Sequence, residues 1–264
     1  MQIGQVSELY VYPVKSMSAQ QLESVQVSPE HGFPFDRAFA LAHHGAATQR
    51  EFAEPLHPDF HMLTVDHRLA GLRTHCDPAT GHFEVFVQEH LVFSSDLSTP
   101  EGCSEAGKFF AAVLDLPDDK PPVMARGLGH NYAWLDSASC HIVNLASVRD
   151  LSERAGVEID PLRFRANLYI DTDEPWAEFE WIGEELRIGE DVLIRPSKRA
   201  TRCAATEVNR LSATRDVPIP RLIKRHYGHS DFGIYGAIIK GGLLKPAMAV
   251  ERRPTHERSA VDGA

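Results

Sequence analysis

Over residues 1–95, apolar and polar positions alternate in short runs, and turn residues separate the runs. "ELYVYPV" (8–14) is rich in aromatic and β-branched residues and stops near Pro13, as a strand does. "LESVQVS" (22–28) and "RAFALAH" (37–43) alternate in the same way. "HCDPATGHFEVFV" (75–87) carries the turn cluster Asp77-Pro78-Ala79-Thr80-Gly81 between two strand-like runs, which predicts a hairpin. Several short strands at this spacing predict a barrel or sandwich.

The period then changes. In "STPEGCSEAGKFFAAVLDLP" (98–117), Phe109, Val113 and Leu116 are spaced as on one helix face. Ser98 or Thr99 is the candidate cap, Pro100 suits the first turn, and Pro117, Pro121 and Pro122 stop the helix. A domain boundary is expected near residue 120. Beyond it, "CHIVNLASVRDLSERAGVEID" (140–160) reads as a strand and then a helix from about Ala146. Val148, Leu151 and Ala155 form that helix's apolar face, and Gly156 terminates it. "NLYID" (167–171) is a strand, and "EELRIGEDVLIRPS" (184–197) is a hairpin around Gly189-Glu190-Asp191. "IPRLIKRHYG" (219–228) is a short helix closed by Gly228, and "FGIYGAIIKGGLLKPAMAVER" (232–252) reads as two strands joined at Gly241-Gly242. The last residues, "PTHERSAVDGA" (254–264), read as a frayed tail.

Composition narrows the class. A chain of 264 residues suits one large domain or two small ones, and its hydrophobic and charged content is that of a globular protein. No run of about 18 apolar residues is present, so no spanning segment is expected. "MQIGQVSELYVYPVKS" lacks the charged region and apolar core of a signal peptide. The formal net charge of -10 argues against a general nucleic-acid binder and leaves room for a local basic site for a small anion. The four cysteines, Cys76, Cys103, Cys140 and Cys203, form no CxxC pair, so free thiols in a reducing cytoplasm are expected. Histidine is abundant in the first 90 residues, including His43, His44, His57 and His61. "HPDFH" spaces two of them as a zinc helix would, but Pro58 interrupts it and no Glu stands beside it, so solvated loop histidines are expected.

Familiar catalytic motifs are missing. "GCSEAGKF" (102–109) nearly matches a phosphate-binding loop, but Phe109 replaces the hydroxyl that would hold magnesium, and a helix start is expected instead. There is no GxSxG, GxGxxG or HExxH. The stretch that stands out is "KRATRCAATEV" (198–208), where Cys203 follows Arg202, with Lys198 and Arg199 upstream. A thiol among cations is more easily ionised, and a thiolate can be a nucleophile, a redox centre or a soft metal ligand.

Four distant stretches set that cysteine in context: "YPVKS" (12–16), "FDRAFAL" (35–41), "RFRANLYID" (163–171) and "TRCAATEV" (201–208). Their order and spacing resemble the MOSC proteins that carry an N-terminal MOSC β-barrel domain, a family that includes the mitochondrial amidoxime-reducing component and its bacterial relatives. The resemblance also takes in "TQRE" (48–51), "EPWAEFEWIGEELRIG" (174–189) and "FGIYGAIIKGG" (232–242). It implies a mainly β fold with α+β elements: an N-terminal β-barrel-like domain over 1–120, a MOSC β-barrel domain over 121–254, and a tail over 255–264.

It further implies a molybdenum cofactor, molybdopterin with Mo. Cys203 matches the cysteine that ligates the metal and would be catalytic. Lys15 and Ser16 match the cofactor-contacting Lys-Ser, Arg37 the arginine after an acidic residue, and Arg165 and Asn167 the family's R-P-N positions. Thr201 and Arg202 precede the ligand, with Arg202 expected to favour both the ionised thiol and the anionic cofactor. Tyr235 lies where an aromatic residue approaches, and Ala146 and Ser147 stand at a helix start whose backbone N–H groups favour anions. Pyridoxal phosphate binding also travels with family-level descriptions. The implied activity is reduction of small N-hydroxylated or N-oxide-type substrates by a cytoplasmic oxidoreductase. Its electrons would come from a separate flavin or iron–sulfur protein docking near Arg202, Asn209 and Arg210, with no nucleic acid and no membrane involved. A cofactor-binding or sulfur-carrier module with a Cys203 persulfide is the alternative. Three positions depart from the pattern: "EVNRLSATRD" (207–216) replaces a "VDP-x-TG"-like run, Ala166 replaces the proline of R-P-N, and Ala146 stands where some members have a hydroxyl.

Overall fold

The computed structural model describes residues 1–46, 59–77, 79–127 and 139–253. The readings placed on "TQRE", His57, Pro78 and the tail from 254 lie outside these residues. The first half contributes β1 (Gln2–Val11), β2 (Gln20–Gln21), β3 (Val25–Val27), β4 (Phe39–Ala42), β5 (Arg73–Asp77), β6 (His82–Val87), β7 (His90–Asp96), α1 (Pro100–Val113) and β8 (Val123–Arg126). The second contributes β9 (Ser139–Asn144), α2 (Leu145–Ala155), β10 (Leu168–Asp171), β11 (Glu185–Ile188), β12 (Val192–Thr201), α3 (Ile219–Tyr227), β13 (Asp231–Lys240), β14 (Gly242–Leu244) and β15 (Ala249–Arg253).

The fold is mainly β. A large sheet runs β10-β9-β13-β12-β11-β15-β1, and β1 pairs back onto β10, so these strands close into a barrel. Closure leaves no unpaired barrel edge. Alternation along the strands sends Val6, Leu9, Ile142, Leu168, Ile170, Ile188, Ile194, Ile234 and Val250 into one buried cluster that fills the barrel. Pro196 of β12 donates no hydrogen bond and sits at a bulge against β13, where a strand tolerates it.

The first half is built from small sheets: β5-β6-β7, and β4 with β8. They pack with α1 around Phe39, Phe83, Leu97 and Phe110. Thr99 caps α1, its hydroxyl accepting from Gly102 N–H at 3.0 Å, with Pro100 in the first turn as expected. The phosphate-loop lookalike lies inside this helix. Gly156 and Gly228, both left-handed, end α2 and α3.

Two expectations are corrected. Residues 232–252 form three strands rather than two, because the chain leaves the barrel at Gly241 and β14 pairs with β3 of the first half. A side chain at Gly241 would bring a Cβ within 2.5 Å of the Val27 carbonyl oxygen, so only glycine permits this exit. His61 is buried rather than solvated, bonded through Nδ1 to Asp66 at 2.7 Å. Among the described residues, no helix is long and apolar enough to cross a membrane.

Candidate functional site

The segment from Tyr12 to Lys15 is clamped against the segment from Asp36 to Phe39. Arg37 N–H donates to Tyr12 O (2.7 Å), Phe39 N–H to Pro13 O (2.9 Å) and Lys15 N–H to Phe39 O (2.8 Å). Buried Asp36 accepts from Tyr12 N–H at 2.9 Å and pairs with Arg37. Arg165, from the turn before β10, reaches across from the barrel. Its Nη1 donates to Met17 O at 2.8 Å, and its carbonyl accepts from Arg37 Nη2 at 3.0 Å. Both guanidiniums lie 4.4 Å from the centroid of the buried Tyr12 ring, each a cation–π contact.

Lys15 completes the group. Burial, then Arg37 and Arg165, push its ammonium down to about 8. Burial, then Arg37, push the Arg165 guanidinium down to about 10. Arg37 pairs with Asp36, Lys15 and Arg165 each feel Arg37 as a like charge, and Arg165 Nη2 is buried with no hydrogen-bond partner. Ser16 (φ 67°), Arg37 (φ 52°) and Arg165 (φ 55°) all take left-handed backbone, which costs a non-glycine residue roughly 1–3 kcal/mol and concentrates at functional sites. Like charges, an orphaned buried donor and left-handed backbone thus coincide on segments drawn from both halves.

Cys203 is exposed at the end of β12 and starts the tight turn Ala204–Glu207. Ala205 and Val208 of that stretch pack in the first-half core with Val14 and Met17, which brings the thiol's loop to the same seam. Arg202 turns inward rather than toward the thiol. It donates to Phe164 O at 2.9 Å and lies 3.4 Å from His141 Nε2, while its Nε is buried without a partner. His141 is held neutral, its pKa far below the ordinary range because of burial and then Arg202 and Arg37. Tyr235 packs at a tilt of 46° against His141, with ring centroids 5.0 Å apart.

The remaining residues have local partners. Asn167 is buried and spends its side chain on backbone, accepting from His141 N–H (3.1 Å) and donating to Tyr10 O (3.3 Å), so it staples β9 to β1. Thr201 donates to Asp231 at 2.7 Å. The start of α2 is not open to an external anion as expected. Asn144 caps the Ala146 N–H, and the Ser147 hydroxyl donates to Glu178 at 2.9 Å. Glu178 is fully buried there, and burial pushes its carboxyl up to about 7. Ala166 keeps an N–H that proline would lack, and donates it to the Tyr169 hydroxyl at 3.2 Å. The "EVNRLSATRD" stretch folds into a hairpin on Asn209. Arg210 pairs with Asp160, Asn209 bonds Asp216, and Arg215 reaches Thr64 O in the first half. Of the expected rim of Arg202, Asn209 and Arg210, Arg210 is therefore neutralised by Asp160, while Arg202 turns inward without a carboxylate partner among the described residues.

Sequence reading missed His141, Tyr12 and Glu178. The available signals were a lone histidine in an apolar strand, a tyrosine flanked by Val11 and Pro13, and a carboxylate between aromatic residues in "WAEFEW".

A closed barrel joined at its seam to a smaller β unit, with cations and an exposed cysteine there, defines a two-part β protein. The chain belongs to the MOSC family: the model of the MOSC domain matches residues 129–251, and that of the MOSC N-terminal beta barrel domain matches residues 3–117. Two curated proteins named Molybdenum cofactor sulfurase are similar. One, from Drosophila mojavensis, is 34% identical over 86% of this chain and 31% of its own length. The other, from Drosophila grimshawi, is 35% identical over 88% and 32%. The chain thus spans about a third of the length of these relatives. Among solved structures, the YuaD protein of Bacillus subtilis covers 96% of both chains at 11% identity, with a TM-score of 0.45.

Proposed function

We propose that this chain holds a molybdenum cofactor at the seam between its halves and is a cytoplasmic oxidoreductase for small N-hydroxylated or N-oxide-type compounds. Two electrons per turnover would come from a separate flavin or iron–sulfur protein. The observation that carries this reading is the Lys15, Arg37 and Arg165 cluster, with Arg165 Nη2 buried and unpartnered beside the Cys203 loop. The residues fit the group. Arg165 Nη2 and the Lys15 ammonium would hold its terminal phosphate through charge-assisted hydrogen bonds, and Cys203 offers the soft thiol ligand that molybdenum accepts. When bound, the cofactor supplies two-electron oxygen-atom abstraction. The chain would fix the anion against Tyr12, keeps Arg202 oriented through Phe164 O and neutral His141, and presents the exposed Cys203 thiol that would reach the metal.

The first test is molybdenum content of protein purified from a molybdate-fed host that makes the cofactor. Near-stoichiometric metal is expected, falling sharply in Lys15→Ala/Arg37→Ala. Wild-type reduction of an amidoxime by Cys203→Ala would remove the thiol from the mechanism. The sulfurase relatives favour a second reading, a sulfur-carrier module with a Cys203 persulfide. Intact-mass analysis showing one extra sulfur on Cys203, with no molybdenum, would select it.

A further inference from the structure

Ala42 meets Phe60 in an antiparallel bridge, framed by hydrogen bonds from His43 N–H to Asp59 O (2.8 Å) and from His61 N–H to Leu41 O (2.9 Å). This register sets Asp59 opposite His43 and His61 opposite Leu41, with the two histidines as diagonal neighbours. Their rings meet: the centroids are 4.0 Å apart at a tilt of 57°. The His61 side chain is 4% exposed, and its Nδ1 bonds to Asp66 at 2.7 Å. A carboxylate at Nδ1 keeps the proton of a neutral ring there and leaves a lone pair at Nε2. That Nε2 is buried with no hydrogen-bond partner among the described residues.

Packing does not account for this arrangement. A buried polar atom without a partner costs about 1–3 kcal/mol. Leucine at 61 would avoid that cost amid Leu41, Ala42, Phe60 and Leu63, which are all buried. An imidazole with one nitrogen held by a carboxylate and the other free is how a metal ligand and its orienting partner are arranged. We infer that His61 Nε2 and His43 bind a divalent ion of the zinc class, with Asp66 as the positioning residue for His61 and Asp59 as the oxygen donor opposite His43. Among the described residues, no three His, Cys, Asp or Glu groups already converge on one point. Asp66 fixes His61, so the half-buried His43 and Asp59 are the groups that turn toward the ion. Ring nitrogens of two imidazoles at this separation lie roughly 2 to 6 Å apart, a span that includes the roughly 3.3 Å between two tetrahedral zinc ligands. Burial and then His61 lower the His43 pKa, which favours the neutral ring that a metal needs. Nitrogen donors select against calcium and magnesium, which take oxygen. The site shares no residue with the proposed cofactor site and does not depend on the redox reading.

The test uses the full chain, stripped with a chelator, in a Cys203→Ser background that keeps the exposed thiol out of the measurement. Zn²⁺ is titrated by calorimetry, with Mg²⁺ as the counter-probe. One saturable Zn²⁺ site is expected, and filling it should raise the melting temperature. His43→Ala should weaken that binding by about tenfold or more, and Asp66→Asn, which keeps an acceptor but not the charge, by about ten- to hundredfold. His75→Ala/His82→Ala, exposed on β5 and β6, should leave it within about twofold. Urea unfolding without metal should leave His43→Ala close to its parent, which separates lost ligation from lost folding. His61→Ala should abolish the site, and the His43 and Asp66 variants decide the matter if that one does not fold. Four results would each overturn the proposal: no saturable Zn²⁺ site, Mg²⁺ bound as tightly as Zn²⁺, full affinity in both His43→Ala and Asp66→Asn, or loss of the site in the His75→Ala/His82→Ala control.

Discussion

Arg165 should trade stability against anion affinity, and Arg165→Met isolates that trade. In the folded chain the guanidinium is pushed down to about 10 by burial and by Arg37. Against an ordinary value of 12.5 this corresponds to on the order of 3 kcal/mol held against the charged form, trimmed by the part of the side chain that solvent still reaches. In return Arg165 makes one hydrogen bond to Met17 O and one cation–π contact with Tyr12, worth roughly 1.5–3 and 0.5–2 kcal/mol. The terms nearly cancel. Methionine fills similar volume, so Arg165→Met should unfold within about 1–2 kcal/mol of wild type when no polyvalent anion is present. Anion binding has no such cancellation, because losing a charge-assisted contact of roughly 1.5–3 kcal/mol weakens affinity about ten- to hundredfold. Urea unfolding gives the first number, and calorimetric titration with pyrophosphate gives the second. A variant that loses several kcal/mol of stability yet binds pyrophosphate as wild type does would make Arg165 a structural strut and refute the anion site.

Three further outcomes follow from the same seam. The Lys15 ammonium is pushed down to about 8 from 10.5. The folded chain therefore bears the cost of a charged Lys15 in full below pH 8 and sheds it as pH rises to 10.5. Wild type should gain at most about 3 kcal/mol over that window relative to Lys15→Met, measured by urea unfolding against pH. The buried Glu178 carboxyl, pushed up to about 7 from 4.5, has the opposite consequence: both states are protonated below pH 4.5, and stability falls as pH rises through 7. Glu178→Gln should flatten that fall in a melting-temperature profile, and an unchanged slope would assign it to other groups. Gly233 has φ +73°, and a Cβ there would lie 2.5 Å from Ile142 O and 2.8 Å from His141 Nε2. Gly233→Ala should cost more than about 3 kcal/mol, and a fully stable variant would mean that this part of the barrel yields easily.

Local signals carried far in this sequence. Thr99, Gly156, Gly228 and the Asp77–Gly81 turn mark their elements because caps and turns are decided by neighbours within a few residues. The pairing of β1 with β10 and of β14 with β3 joins positions some 160 to 220 residues apart, and no periodicity encodes such partners. The site divides in the same way. Lys15, Arg37, Arg165 and Cys203 were legible as motif positions, and the structure brings the three cations together. Asn167, Ala146 and Ser147 matched motifs just as well, yet their polar groups are consumed by Tyr10, His141, Asn144 and Glu178. A motif records which residue type stands at a position and not whether its donors are already taken. His141 and Glu178 carried no motif, and only their burial beside partners reveals them.

β1 precedes its barrel neighbours β10 and β15 by about 160 residues or more. During synthesis, that first strand must wait beside the ribosome with no barrel to join, because its last neighbour is nearly the final described segment to emerge. The intervening small sheets and α1 can condense first, but the ring can close only late, a high-contact-order step that should be slow. A fragment beginning at residue 121 would therefore be a barrel missing one stave, with β10 and β15 left as two raw sheet edges. Such edges invite pairing between copies, so that fragment should aggregate unless a peptide of residues 1–12 is supplied to complete it.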